Sequence, residues 1–313
     1  MAMKDSNRKQ SAHGDESSPA PVFIIGGSRT GSEMLKTMLS ASPALDFVDE
    51  MFLYCPRWLH KDLQSNLTDR IGGLGPSTSS NELVDFLYSG IPYGWFWSNT
   101  MLEIDKTRFR NELDMVDSDM RGLFLAIMRA HAGHNGKQGL GAKFPLHYSR
   151  AECLFEWFPD CRVIHTTRNP QAVYGSQSAK YISPEQSAVS KAWTKFQHFV
   201  HINIQTTWTA RIHRALAGRD NYRLVRYEDV VTDPETQLQK ICDFLGTPYM
   251  AEMLQPKQYG SSFDAIAGSR GVNSSSLDRY KSSVSPFVQW LNQVLHPGAY
   301  DQLGYATDRR SSE

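Results

Sequence analysis

The chain has 313 residues and a mass of 35.4 kDa, with 33 Lys+Arg against 33 Asp+Glu. That even balance speaks against a general nucleic-acid binder while leaving room for a local basic pocket, and no stretch is long and apolar enough to span a bilayer, so neither nucleic acid nor membrane is an expected partner. Four scattered cysteines, Cys55, Cys153, Cys161 and Cys242, have no C-x-x-C pair and no adjoining His pattern, which argues against a zinc site or disulfide scaffold and for a reducing, cytoplasmic setting.

Residues 1–20 are polar, carry no apolar core of a signal peptide, and read as a disordered tail. The first ordered stretch is VFIIGGSRTGSEML, 22–35. A short β-branched and aromatic run gives way to a glycine turn, after which Met34, Leu35, Met38 and Leu39 recur at helical spacing. A strand, turn and helix in this order aim the first-turn amides and the positive end of the helix dipole into one concavity, which suits phosphate or sulfate. Gly26 and Gly31 have the glycine spacing of a nucleotide loop, but Ser32 occupies the lysine position and Arg29 is the loop's cation. Tight βα connections need glycine anyway, so the loop alone decides nothing.

PALDFVDE, 43–50, reads as a turn and a short second strand ending at Asp49 and Glu50. Residues 52–135 read as helices and loops, with an exposed Gly/Ser/Thr-rich loop at 71–80 and an aromatic cluster, Tyr93, Trp95, Phe96 and Trp97, suited either to a core or to a pocket wall. Strand character returns at GLGAKFPL, 139–146; an amphipathic segment, 149–158, then leads into a buried strand from Arg162 to Thr167, followed by Arg168 and a helix. YRLVRYEDVV, 222–231, has strand character, and Pro234 opens a helix stopped by Gly246. Such alternation predicts an α/β fold with a parallel sheet, whose ligands bind beyond the carboxyl ends of the strands. Arg29, Glu50, Lys143 and Arg168 each follow a strand-like segment and should converge on that rim.

With these elements in place, the chain resembles a sulfotransferase of the type that uses 3'-phosphoadenosine 5'-phosphosulfate (PAPS). FIIGGSRTGSEMLKTML resembles the family's 5'-phosphosulfate loop, and VIHTTRNPQAVYGSQ its 3'-phosphate motif, where an arginine ends a strand and a serine follows eight residues later, here Arg168 and Ser176. RYEDVVTDPETQLQKICDFLG is similar to the family's Tyr-Glu motif with its amphipathic helix. The resemblance implies a three-layer, P-loop-like parallel sheet over residues 21–305, with a largely helical, substrate-pocket insertion at about 52–138 and a short tail at 306–313. It implies cofactor contacts at Gly27, Ser28, Arg29, Thr30, Gly31, Ser32, Arg168 and Ser176, with further roles for Lys180, Tyr227, Asn273 and Arg279. Motif spacing resembles the protein-tyrosine sulfotransferase branch, which implies that Glu50 is the general base and Lys143 the transition-state lysine. His147 is the rival base, since another branch places histidine at K-x-H where this chain has K-x-x-x-H.

Two positions depart from the family pattern. Ser28 replaces a common proline, and Glu33 stands where a small hydroxyl residue is usual. A carboxylate beside a bound phosphosulfate would repel it, so Glu33 is expected to turn back and cap the helix in a T-x-x-E box with Thr30. The implied chemistry is an in-line transfer without a metal: amides of residues 29–32 and Lys143 neutralise the leaving phosphate, and a base takes the acceptor's proton. The aromatic-rich segment 88–97 points to a small-molecule acceptor, hydroxyl or amine, with peptide tyrosine left open and the oligomeric state unspecified. A magnesium-dependent P-loop kinase and a non-catalytic nucleotide-binding protein are the competing readings.

Overall fold

The computed structural model describes residues 20–48, 63–89, 104–144, 151–255 and 277–305. Among these, four strands form one parallel sheet: β1 (Val22–Gly26), β2 (Gly141–Phe144), β3 (Arg162–Thr167) and β4 (Tyr222–Arg226), in the order β2-β1-β3-β4. All five residues of β1 are buried because both faces of the sheet are covered. Phe23 and Ile25 point into one core, while Val22 and Ile24 point into the other. The parallel α/β sheet expected from the alternating pattern is present, with the layers on both faces that the resemblance implies.

Against one face packs α1 (Ser32–Leu39), which buries Leu35, Met38 and Leu39 at the spacing of a single helical stripe. Among the described residues between the edge segment and β2 lie the helices α2 (Leu63–Ile71), α3 (Ser80–Tyr88), α4 (Lys106–Asp114) and α5 (Met120–His134). Much of α5 belongs to the opposite layer: Phe124 sits with its ring 5.6 Å from that of Phe23, and Ile127 and Ala130 are fully buried. After α6 (Ala151–Trp157) and β3 comes α7 (Pro170–Tyr181), started by Asn169, whose side chain accepts from the Gln171 amide, and by Pro170. A 29-residue helix, α8 (Ala188–Leu216), then returns the chain to β4.

Two boundaries differ from expectation. Residues 43–48 do not form a full strand; they run alongside β2 through isolated parallel bridges, Leu45 to Gly139 and Val48 to Ala142. The 222–231 run is a strand only to Arg226, and Tyr227–Thr232 is helical (α9), because Glu228 and Asp229 favour a helix's first turn. The helix opened by Pro234 is α10 (Pro234–Leu245), and Gly246 ends it at φ 63°, a conformation that favours glycine. Near the end lie α11 (Arg279–Ser283), α12 (Pro286–Leu295) and α13 (Pro297–Gln302). No helix among the described residues is long and apolar enough to cross a membrane.

Candidate active site

The loop between β1 and α1 is held from three sides. Thr30 Oγ1 donates to the Gly27 carbonyl at 2.8 Å and lies 2.8 Å from Thr166 Oγ1 at the end of β3. From α8, the buried Gln205 donates to the Ser28 carbonyl at 3.3 Å, and a Cβ on Gly27 would fall 2.0 Å from its side chain. Tyr227 lies so close on the third side that a Cβ on Gly31 would sit 2.5 Å from its ring, and Gly31 has φ 90° besides. Arg29 is the positive-φ non-glycine residue of the described chain, at 68°, a conformation that costs about 1–3 kcal/mol unless its surroundings enforce it. Its side chain reaches across the site, where Arg29 Nε donates to Ser176 Oγ at 2.9 Å.

That bond joins the first motif to the second. Arg168 follows β3 directly, with its guanidinium carbon 4.2 Å from the Tyr227 ring centre. Burial lowers the Arg168 pKa, opposed by Tyr227 and Glu228 and reinforced by Arg29, which places both arginines in one neighbourhood. Glu228 ties the second motif to the third: Oε1 accepts from the Asn169 amide at 2.8 Å, and Oε2 accepts from the Tyr305 hydroxyl at 2.9 Å. Burial, with Glu228 alongside, holds the Tyr305 phenol well above its ordinary pKa. One carboxylate therefore fastens the start of α7, the start of α9 and the far end of the chain.

Lys180 sits in the last turn of α7, one turn beyond Ser176, with its ammonium 5.0 Å from the Tyr181 ring. Arg279 is exposed at the start of α11, a helix so close to α7 that a Cβ on Gly175 would fall 3.3 Å from Ser283 Oγ and 3.5 Å from Tyr280 Cβ. The structure thus brings Gly27 to Ser32, Arg168, Ser176 and Tyr227 together, with Lys180 and Arg279 on elements that border them. Glu50, His147 and Asn273, with the aromatic cluster at 93–97, lie outside the described residues.

Lys143, expected to follow a strand, is instead buried within β2, where it pairs in register with Ile24 of β1. Its ammonium is in short contact with Glu33 Oε2, while Glu33 Oε1 receives Lys36 at 2.9 Å. The expected T-x-x-E cap is therefore not formed. Gly31, not Thr30, is the N-cap of α1, and no side chain caps it. The Thr30 hydroxyl is taken up by Gly27 and Thr166, and a buried ammonium is a stronger partner for Glu33 than a backbone amide.

These groups suit a nucleotide with two anionic ends. The helix α1 presents a first turn without a side-chain cap, next to Arg29 and Lys143; the second basic group, Arg168 with Ser176, stands across the loop. Sequence reasoning missed Gln205, Thr166 and Glu228. Glu228 had a signal, its place beside Tyr227 in the third motif, whereas Gln205 had none, lying mid-helix and far away in the chain.

A family model described as the Sulfotransferase family matches residues 21–251. Among curated proteins, the chain is 29% identical over 154 residues to Sulfotransferase 1 family member D1 of Mus musculus, covering 44% of this chain and 50% of that protein. It is 31% identical over 141 residues to Sulfotransferase 2A1 of Macaca fascicularis, covering 44% and 47%. The chain thus spans about half the length of the curated relatives it matches. Among solved structures, the sulfotransferase domain of the Synechococcus PCC 7002 olefin synthase superposes with a TM-score of 0.59 at 19% identity, covering 96% of this chain and all of that one.

Proposed function

The chain belongs to the sulfotransferase family, and from that premise we propose that it moves a sulfuryl group from PAPS to a hydroxyl or amine of a small molecule, releasing 3',5'-ADP. The observation that carries this reading is the bond from Arg29 of the glycine loop to Ser176 of the second motif, which sets two anion-binding groups side by side with Arg168. PAPS brings a phosphosulfate as sulfuryl donor and a 3'-phosphate as handle. Gly27 to Ser32 would hold the first, Arg168 and Ser176 the second, with Lys180, Tyr227, Asn273 and Arg279 around the nucleotide.

Lys143 neutralises charge at the 5' side, where a buried ammonium acts in a low-dielectric setting and so counts for more than in water. Glu50 takes the acceptor's proton, with His147 the alternative base. Within a domain spanning 21–305, residues 52–138 contribute the wall of the acceptor pocket, and a planar or apolar acceptor suits the aromatic segment 88–97; a peptide tyrosine would use the same base. The scattered cysteines, with no C-x-x-C pair in the sequence, support a reducing, cytoplasmic setting. The loop has no lysine at Ser32, which favours sulfuryl transfer over a magnesium-dependent kinase reaction.

Calorimetry with 3',5'-ADP and 5'-AMP tests the proposal. We expect 3',5'-ADP to bind far better, and Arg168→Ala to erase that preference at a cost of about 2–5 kcal/mol. Turnover should persist in EDTA. Equal affinity for the two nucleotides would overturn the PAPS assignment.

A further inference from the structure

Glu33 is a carboxylate in the first turn of the helix that faces the anion site, where it opposes the binding of any phosphate or sulfate. It is 30% exposed, while the Lys143 side chain it contacts is 4% exposed. Its two oxygens are divided between two cations, Oε2 to Lys143 from the sheet and Oε1 to Lys36 one turn along the same helix. A merely structural partner for Lys143 would need only one of these contacts. The second contact gives Glu33 a counter-ion that stays with it if Lys143 turns elsewhere.

We propose that Glu33 is an internal stand-in for the anion: in the free protein it holds the Lys143 ammonium, and it yields that ammonium to the 5' side of the bound nucleotide while Lys36 keeps its charge compensated. The inference rests on the sulfotransferase reading and assigns Glu33 a positioning role toward Lys143. No bond to the nucleotide is attributed to Glu33 itself. The stand-in keeps a buried cation paired at all times, and it sets the nucleotide's affinity below what the same basic groups would otherwise deliver.

The test is calorimetric affinity for 3',5'-ADP, 5'-AMP and 3'-AMP. Glu33→Gln should tighten 3',5'-ADP and 5'-AMP by about tenfold, a change of ~1.4 kcal/mol, and leave 3'-AMP unchanged, because 3'-AMP has no 5'-phosphate. Lys36→Ala should weaken 3',5'-ADP about threefold in the native background and have no effect in the Glu33→Gln background. If Glu33→Gln does not fold, Glu33→Asp keeps the charge but shortens its reach toward Lys143, and should still tighten the two 5'-phosphate nucleotides. Unchanged or weaker binding of 3',5'-ADP in the folded Glu33 variant overturns the inference, as does equal tightening of 3'-AMP. A native protein that prefers 3',5'-ADP over 5'-AMP leaves the functional reading intact in either case; one that shows no preference removes both.

Discussion

Two lysines six residues apart flank the same sheet edge and are held in opposite ways. Lys137, just before β2, donates to the carbonyls of Ser40 at 2.7 Å and Leu45 at 2.8 Å. Beside it Asp46 is buried, in short contact with His131 Nδ1 and receiving Asn135 Nδ2 at 3.0 Å. Burial lowers the Lys137 pKa, and Asp46 opposes the shift. Lys143 instead meets the side chain of Glu33, which has a second cation waiting. Backbone carbonyls cannot leave without unfolding the segment that carries them, whereas a side-chain carboxylate can. The first arrangement pins the edge segment to α5 and β2, and the second holds a charge that can be handed on.

The largest expected effect separates the two lysines by rate. Lys143→Met should lower sulfuryl transfer about 10²- to 10³-fold, as removal of a single electrostatic donor does elsewhere, with little change in melting temperature because Lys36 still compensates Glu33. A variant that kept its rate and lost its fold would put Lys143 in the same class as Lys137. Asp46→Ala should do the reverse. Leaving His131 and Asn135 without their acceptor should cost about 2–3 kcal/mol in urea unfolding, while 3',5'-ADP affinity holds in the folded protein.

A pH series extends the comparison to another closed cluster, His165 in β3, whose Nδ1 lies 2.8 Å from the Tyr222 hydroxyl. Burial first, then His213, takes the His165 pKa from 6.5 down to about 3. Between those values the unfolded chain binds the proton and the folded chain does not. His165 therefore contributes its full stability above pH 6.5 and loses it progressively as the pH falls toward 3, by up to ~1.4 kcal/mol per pH unit. Unfolding curves for the native protein and His165→Asn should converge in acid; parallel curves would show that His165 does not titrate on unfolding. The smallest effect belongs to Ser176→Ala, which removes one bond to Arg29. We expect 3',5'-ADP binding to weaken about three- to tenfold with no loss of stability, read by calorimetry.

Much of the fold was legible because its strands are buried on both faces and its helices carry one stripe. β3 begins at Arg162 and ends at Thr167 as the apolar run suggested, and Pro234 and Gly246 bound their helix as proline and glycine commonly do. Local patterns failed where two states shared one composition. Tyr227 to Val231 has strand-forming residues, yet it turns helical at the sheet's end, where the chain must leave the edge of β3. The segment 43–48 looks like a strand and pairs through only isolated bridges. In the site, loop, arginine and serine were readable because they are local in their motifs. The partner of Glu33 was not, since the nearest local candidate, Thr30, satisfies the rules of helix capping equally well.

The sequence by itself determined the chemistry available: a glycine turn between strand and helix, a cation at Arg29, a second at Arg168 with Ser176 eight residues on, and a lysine at 143 beside an apolar strand-like run. Only the tertiary structure decided how those charges are paired. Glu33 and Lys143 are 110 residues apart and meet because β2 lies beside β1 in register, placing Lys143 next to Ile24 and its ammonium at the start of α1. Arg29 reaches Ser176 across 147 residues for the same reason, since β3 lies on the other side of β1. Spacing along a chain reports local geometry, whereas the pairing of buried charges depends on which strands become neighbours, a choice made by the burial of both sheet faces together.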